Sequence, residues 1–119
     1  MKKFPQRCES ELLSIADSVI KAAKSLGASD SEAFVASGDG TSISIEKNRI
    51  SAISAGSDFG IGIRVLKDGR LGFAFCTEES KIKDAVESAI KMSRHTKKVK
   101  FQLAEPRKFQ KISKMYDRK

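Results

Sequence analysis

One hairpin constrains this chain more than any other feature. Phe59 to Leu66 and Leu71 to Cys76 read as two apolar strands closed around Lys67-Asp68-Gly69-Arg70. Two registers are open to it. A two-residue Asp68-Gly69 loop sets Ile61, Ile63 and Val65 opposite Cys76, Ala74 and Gly72. A three-residue loop, with Gly69 left-handed, gathers them instead on one face with Phe75, Phe73 and Leu71. The second choice collects the large side chains and leaves Gly60, Gly62, Gly72 and Ala74 on the other face. A slip of one residue flips every side chain, so the core is expected to select the three-residue loop.

The flanking sequence supplies the rest of a small domain. From Cys8 to Leu26, apolar residues recur at three and four (Leu12, Ile15, Ala16, Val19, Ala22, Ala23, Leu26), the stripe of an amphipathic helix. Gly27 stands where a left-handed C-terminal cap is wanted. The period then changes to strands: Glu32 to Ser37, a tight turn at Gly38-Asp39-Gly40, and Thr41 to Glu46, where Ile43 and Ile45 alternate with serines. Lys47-Asn48-Arg49 is a turn in which Asn48 tolerates positive φ. Ile50 to Ser57 follows as a Ser/Ala-rich strand; Ile50, Ala52, Ile53 and Ala55 hold no single parity, which calls for a bulge. A second helix runs from Glu78 to His95, with Thr77 as N-cap and Ile82, Ala85, Val86, Ala89, Ile90 and Ser93 as its buried stripe. The expected class is α+β: a mainly antiparallel sheet of four to five strands with two helices packed on one face, plus a basic C-terminal tail.

Charge divides the chain into two parts. Of 119 residues, 23 are Lys or Arg and 15 are Asp or Glu, a formal charge of +8. Residues 97–119 hold nine of those basic residues and only Glu105 and Asp117 as acids, so 1–96 is nearly neutral. We therefore expect an α+β domain over 1–96 and a basic tail over 97–119. Val99, Phe101, Leu103, Phe109, Ile112, Met115 and Tyr116 interrupt the tail, the pattern of a segment built to dock. Basic charge with aromatics also keeps a nucleic-acid-binding tail as the alternative. No run of about 18 apolar residues offers a membrane span, and the N-terminus lacks the apolar stretch of a signal peptide. Cytoplasmic residence is the expectation.

Few residues can carry chemistry. His95 is the single histidine, too few for a zinc site built on histidines. Cys8 and Cys76 match no zinc spacing, and two cysteines make no disulfide framework. Cys8, at a helix start near Arg7, is the better thiolate of the two, yet buried, inert thiols are the commoner outcome and neither is expected to be catalytic. Gly38-Asp39-Gly40 lacks the Gly-Lys-Ser/Thr of a phosphate loop, and Gly60-Ile61-Gly62 opens no helix. No catalytic, cofactor or metal residue is expected. Glycines in a strand let another backbone approach closely. Gly60, Gly62, Gly72 and Ala74, with Arg64 as the one large polar member, are therefore candidate partner-facing residues. Ser42, Ser44, Ser51 and Ser54 are candidates for a peptide-binding sheet edge, where main-chain hydrogen bonds recognise an extended chain.

Ser57-Asp58-Phe59-Gly60-Ile61-Gly62-Ile63-Arg64-Val65-Leu66-Lys67-Asp68-Gly69-Arg70-Leu71-Gly72-Phe73-Ala74 resembles the N-terminal region of the TldD/PmbA family. That family was long labelled a modulator of DNA gyrase and is associated with metallopeptidase and peptide-maturation activity. Leu26 to Ala33, Ser42 to Ile50, the second helix, and Leu103 to Asp117 are similar to its flanking segments. The resemblance implies zinc chemistry through a His-Glu-x-x-x-His motif in a downstream domain, and no position here matches that motif. It also implies that 97–119 is a connector to that domain, with protein partners and dimer assembly. The expectation is a stand-alone or truncated N-terminal domain, noncatalytic by itself, acting in assembly and peptide guidance. A separately encoded catalytic half or a second copy would be its partner.

Overall fold

The computed structural model describes residues 7–100, 102–105, 107–108 and 110–113. Helix α1 spans Glu9–Ser25, strands β1 Asp30–Glu46, β2 Arg49–Lys67 and β3 Arg70–Cys76 follow, and a 3-10 turn at Glu79–Lys81 leads into α2, Ile82–Ser93. The strands form one antiparallel sheet in the order β1-β2-β3. The fold is α+β, with three strands among the described residues rather than four to five.

Two expected breaks are absent. Gly38-Asp39-Gly40 stays extended, paired with Gly56, Ser57 and Asp58, so two expected strands fuse into β1. Neither Gly38 nor Gly40 takes the positive φ that a tight turn there would use. Ile50 to Ser57 and Phe59 to Leu66 likewise fuse into β2. The chain reverses at Lys47-Asn48, with φ of 49° and 60°, and at Asp68-Gly69, with φ of 51° and 73°. Positive φ at both central residues marks type I′ turns, whose twist matches that of the strands.

The second of these turns corrects the hairpin register. Asp68-Gly69 is a two-residue loop: Ile61 pairs with Cys76, Ile63 with Ala74 and Val65 with Gly72. Large β2 residues thus share a face with small β3 residues, and helix packing explains why. A Cβ built on Gly72 would lie 1.8 Å from the Ala89 carbonyl oxygen and 3.0 Å from the Ser93 nitrogen. The small residues admit α2 against the sheet, and Leu71, Phe73 and Phe75 do not share the face of the three core residues.

Both helices pack on that face. Ile15, Val19 and Ala23 of α1 and Ile82, Ala85, Val86, Ala89 and Ile90 of α2 close over Ile61, Ile63 and Val65. Each fully buried Ile or Val contributes about 1.5–3 kcal/mol before conformational entropy is set against it. Helix α1 ends in a Schellman motif. Gly27 adopts φ 82°, its N–H bonds to the Lys24 carbonyl, and the Ala28 N–H bonds to that of Ala23. The start of α2 departs from the expected cap: Thr77 lies before the 3-10 turn, and Lys81 precedes the helix without a side-chain cap bond.

After α2 the chain turns back along β3. The Thr96 hydroxyl donates to the Leu71 carbonyl at 2.7 Å, the Val99 N–H to that of Gly69 at 2.8 Å, and Lys98 bridges Arg70. The expected tail residues Phe101, Pro106, Phe109, Lys114, Met115, Tyr116, Asp117, Arg118 and Lys119 lie outside the described residues. Among those described, no helix is long and apolar enough to cross a membrane.

Candidate functional site

Alternation along the strands exposes a second sheet face, opposite the helices. Glu32, Phe34 and Ala36 of β1 lie beside Gly60, Gly62 and Arg64 of β2, and Phe73 and Phe75 of β3 complete the face. Phe34 is 70% exposed, Phe73 54% and Phe75 72%. Gly62 sits between the first two: a Cβ there would lie 3.8 Å from Phe34 Cβ and 4.0 Å from Phe73 Cε2. The glycine lets two rings flank a shallow groove of about 290 Å³, which Glu32, Arg64 and the Ile63 backbone region complete. Arg64 Nη1 lies 3.4 Å from Glu32 Oε2, a half-exposed ion pair that orients the guanidinium and stabilises little.

The candidate partner-facing residues divide between the two faces. Gly60, Gly62 and Arg64 lie on the open face. Gly72 is buried beneath α2, and Ala74 is half-buried on the same side, so these two serve packing within the chain. The three-residue loop would place Phe73 and Phe75 in the core, which hides them from a reading of the sequence, and no sequence signal singles out Phe34. The signal that could have found Phe73 and Phe75 was the Asp68-Gly69 pair itself, which suits a two-residue type I′ loop.

The four serines come together on a long ribbon. Beyond Ser37 and Phe59 the β1–β2 pair projects past the helices as two strands alone, and residues 38–58 are exposed throughout. Ser42 faces Ser54 across the ribbon, Ser44 faces Ala52, and the Ser51 hydroxyl donates to the Ser44 carbonyl at 3.2 Å. Ser51 is the extra residue of the expected bulge, since Ser44 pairs with Ala52 and Ile45 with Ile50. β1 is an edge strand along its whole length, so its outer main-chain groups face away from β2.

Catalytic chemistry finds little to use among these groups. His95 is exposed, and its backbone N–H bonds to the Met92 carbonyl. Cys8 is exposed, its Sγ 3.0 Å from the Ser10 hydroxyl. Cys76 is half-buried, and burial pushes its thiol pKa up, assisted by the nearby Glu78 charge and opposed by a backbone hydrogen bond at Glu78. Such a thiol is a poor nucleophile at neutral pH. Among the described residues no three His, Cys, Asp or Glu side chains come together to hold a metal ion. The described side chains therefore do not fit a zinc ion.

Comparison with known proteins resolves the family. The domain described as PmbA/TldA metallopeptidase domain 1 matches residues 31–93, from the first residues of β1 to the end of α2. This is more than half of the chain. The chain belongs to the PmbA/TldD metallopeptidase family. Among solved structures, TldE from Thermococcus kodakarensis superposes with a TM-score of 0.71 at 31% sequence identity, covering 84% of this chain. The chain spans 23% of the length of that TldE. Comparison with curated protein sequences gave no match. The PmbA/TldD match includes both Gly62 and Arg64 of the open face, and it includes the entire ribbon.

Proposed function

We propose that this PmbA/TldD-family domain is a noncatalytic assembly and peptide-guiding module of a cytoplasmic metallopeptidase system, with zinc held by a separate catalytic half. One observation carries the reading: a sheet face with three exposed phenylalanines, two of which flank a glycine-floored groove. Contiguous exposed aromatics of this kind mark protein-binding surfaces, and aromatic residues with arginine are enriched at interface centres. The family match supports protein partners, because it assigns the chain to domain 1 of metallopeptidases. Beside that face, the outer edge of β1 offers main-chain donors and acceptors to an extended peptide, with Ser42 and Ser44 lying along it.

The test is binding to a full-length PmbA/TldD-family metallopeptidase by isothermal titration. Micromolar or tighter association is expected, weakened about tenfold or more by Phe34→Ser/Phe75→Ser, which removes two exposed rings without touching the core. Equal binding by the variant, or none by the wild-type chain, rejects this assignment.

A further inference from the structure

Charge is segregated along the helices. They begin among acids: Glu9 and Glu11 open α1, and Glu78, Glu79 and Asp84 stand at the start of the 3-10 turn and α2. They end among bases. Lys24 lies in the last turn of α1, Lys91 in that of α2, and Arg94 follows as its C-cap. The sheet brings Lys67 and Arg70 to the same end, where they flank the Asp68-Gly69 turn. Lys67 Nζ donates to the Leu26 carbonyl at 3.1 Å, which ties that turn to the end of α1. Here Leu26, Lys67, Glu87, Ile90, Lys91 and Arg94 line a recess of about 190 Å³.

Helix dipoles account for only part of this charge. A cation or two in each last turn matches the partial negative charge there. The chain adds Lys97, Lys98 and Lys100 beyond α2, all exposed, and holds their backbone against the sheet. Arg70 donates to the Thr96 carbonyl, Lys98 bridges Arg70, and the Val99 N–H reaches the Gly69 carbonyl. Arg70 is thus a positioning residue for the cations that follow. Against them stand Asp30, whose carboxylate accepts the Ser31 N–H at 2.9 Å, Asp68 in the turn, and Glu87 in the recess. In sequence the cations continue through Arg107, Lys108 and Lys111, and Phe101, Phe109 and Tyr116 interleave with them.

We infer that this end of the domain is a surface for single-stranded nucleic acid, held through its phosphates by Lys67, Lys91, Arg94, Lys97, Lys98 and Lys100. A folded cluster of cations leading into a basic, aromatic-bearing segment suits a strand whose charge repeats along its length and whose bases can stack. Phosphate contacts of this kind carry no sequence information, so strands of unrelated sequence should bind alike.

Fluorescence anisotropy of the full chain with a labelled single strand of about 20 nucleotides, from about 50 to 300 mM KCl, tests this surface. Micromolar binding is expected at the low-salt end, with a slope of about −4 in log affinity against log salt. Lys67→Gln/Lys91→Gln/Arg94→Gln should weaken binding about tenfold or more and reduce the slope by about 2. Because Lys67 also bonds the end of α1, Lys97→Gln/Lys98→Gln/Lys100→Gln provides a second variant, in which no core contact changes; it should behave alike. Lys47→Asn/Arg49→Gln/Lys83→Gln removes the same formal charge far from this end and should bind within about twofold of wild type. Absence of binding at the low-salt end, unchanged slopes in the lysine 97–100 variant, or an equal loss in the distant variant overturns the inference. So does tighter binding to the matching duplex, or equal competition by poly-glutamate or by phosphatidylserine vesicles at matched charge.

Discussion

Gly60 and Gly72 show how much a single residue's surroundings decide. Both sit within strands, and the sequence suggests only that some backbone or helix comes close to such residues. For Gly72 that neighbour is α2, whose Ala89 carbonyl occupies the space a Cβ would need. For Gly60 nothing lies within 4 Å. Which glycine meets a helix depends on register, and register was misread by keeping large residues with large. Core volume is filled by both layers, so small residues on β3 complement the bulk that α2 brings. Gly72→Ala is therefore expected to destabilise the fold by about 1–3 kcal/mol, the range of an overpacked core. Gly60→Ala should stay within about 0.5 kcal/mol of wild type. Urea titration followed by circular dichroism measures both, and equal effects would contradict the packing described for α2.

Helices were legible as elements because their period needs no partner: the stripes from Leu12 to Leu26 and from Ile82 to Ser93 are the ones that face the sheet. Strands were less so. Gly38-Asp39-Gly40 has the composition of a turn, but a strand tolerates glycine wherever its partner holds the ladder, and here Gly56, Ser57 and Asp58 do. The bulge was legible from the broken parity of Ile50, Ala52 and Ile53, though its consequence, one face with four isoleucines, was not. If Ser51 is the extra residue, deleting it should convert the ribbon to a regular ladder and leave the facing of every isoleucine unchanged. Nuclear Overhauser contacts between Ile45 and Ile50 and between Ile43 and Ile53 should both persist in that variant, with stability changed by no more than about 0.5 kcal/mol. Loss of the Ile45–Ile50 contact alone would place the extra residue elsewhere.

At the scale of the whole molecule, the core is built at one end of the two long strands and the ribbon lies outside it. Every buried apolar residue among those described belongs to α1, α2 or the Ile61–Val65 stretch of β2, and none comes from residues 38–58. The principal extents of 58 × 37 × 26 Å reflect a chain that extends well beyond its core, through the ribbon and the segment after α2. A two-stranded ribbon with solvent on both faces is marginal by itself, so its pairing is held at the base by the sheet and helices. The ribbon should then be removable. Joining Ser37 to Phe59, which face one another, through Asn-Gly replaces it with a two-residue type I′ loop of the kind already closing both hairpins. The shortened chain is expected to keep its helical circular dichroism and to melt cooperatively within several degrees of the parent, because no core contact is lost. It should also retain the Phe34, Phe73 and Phe75 face. A shortened chain that fails to fold would mean that the ribbon contributes to the core after all. Retention of the fold would establish that this domain builds its core at one end of a sheet and carries the ribbon as an arm outside it.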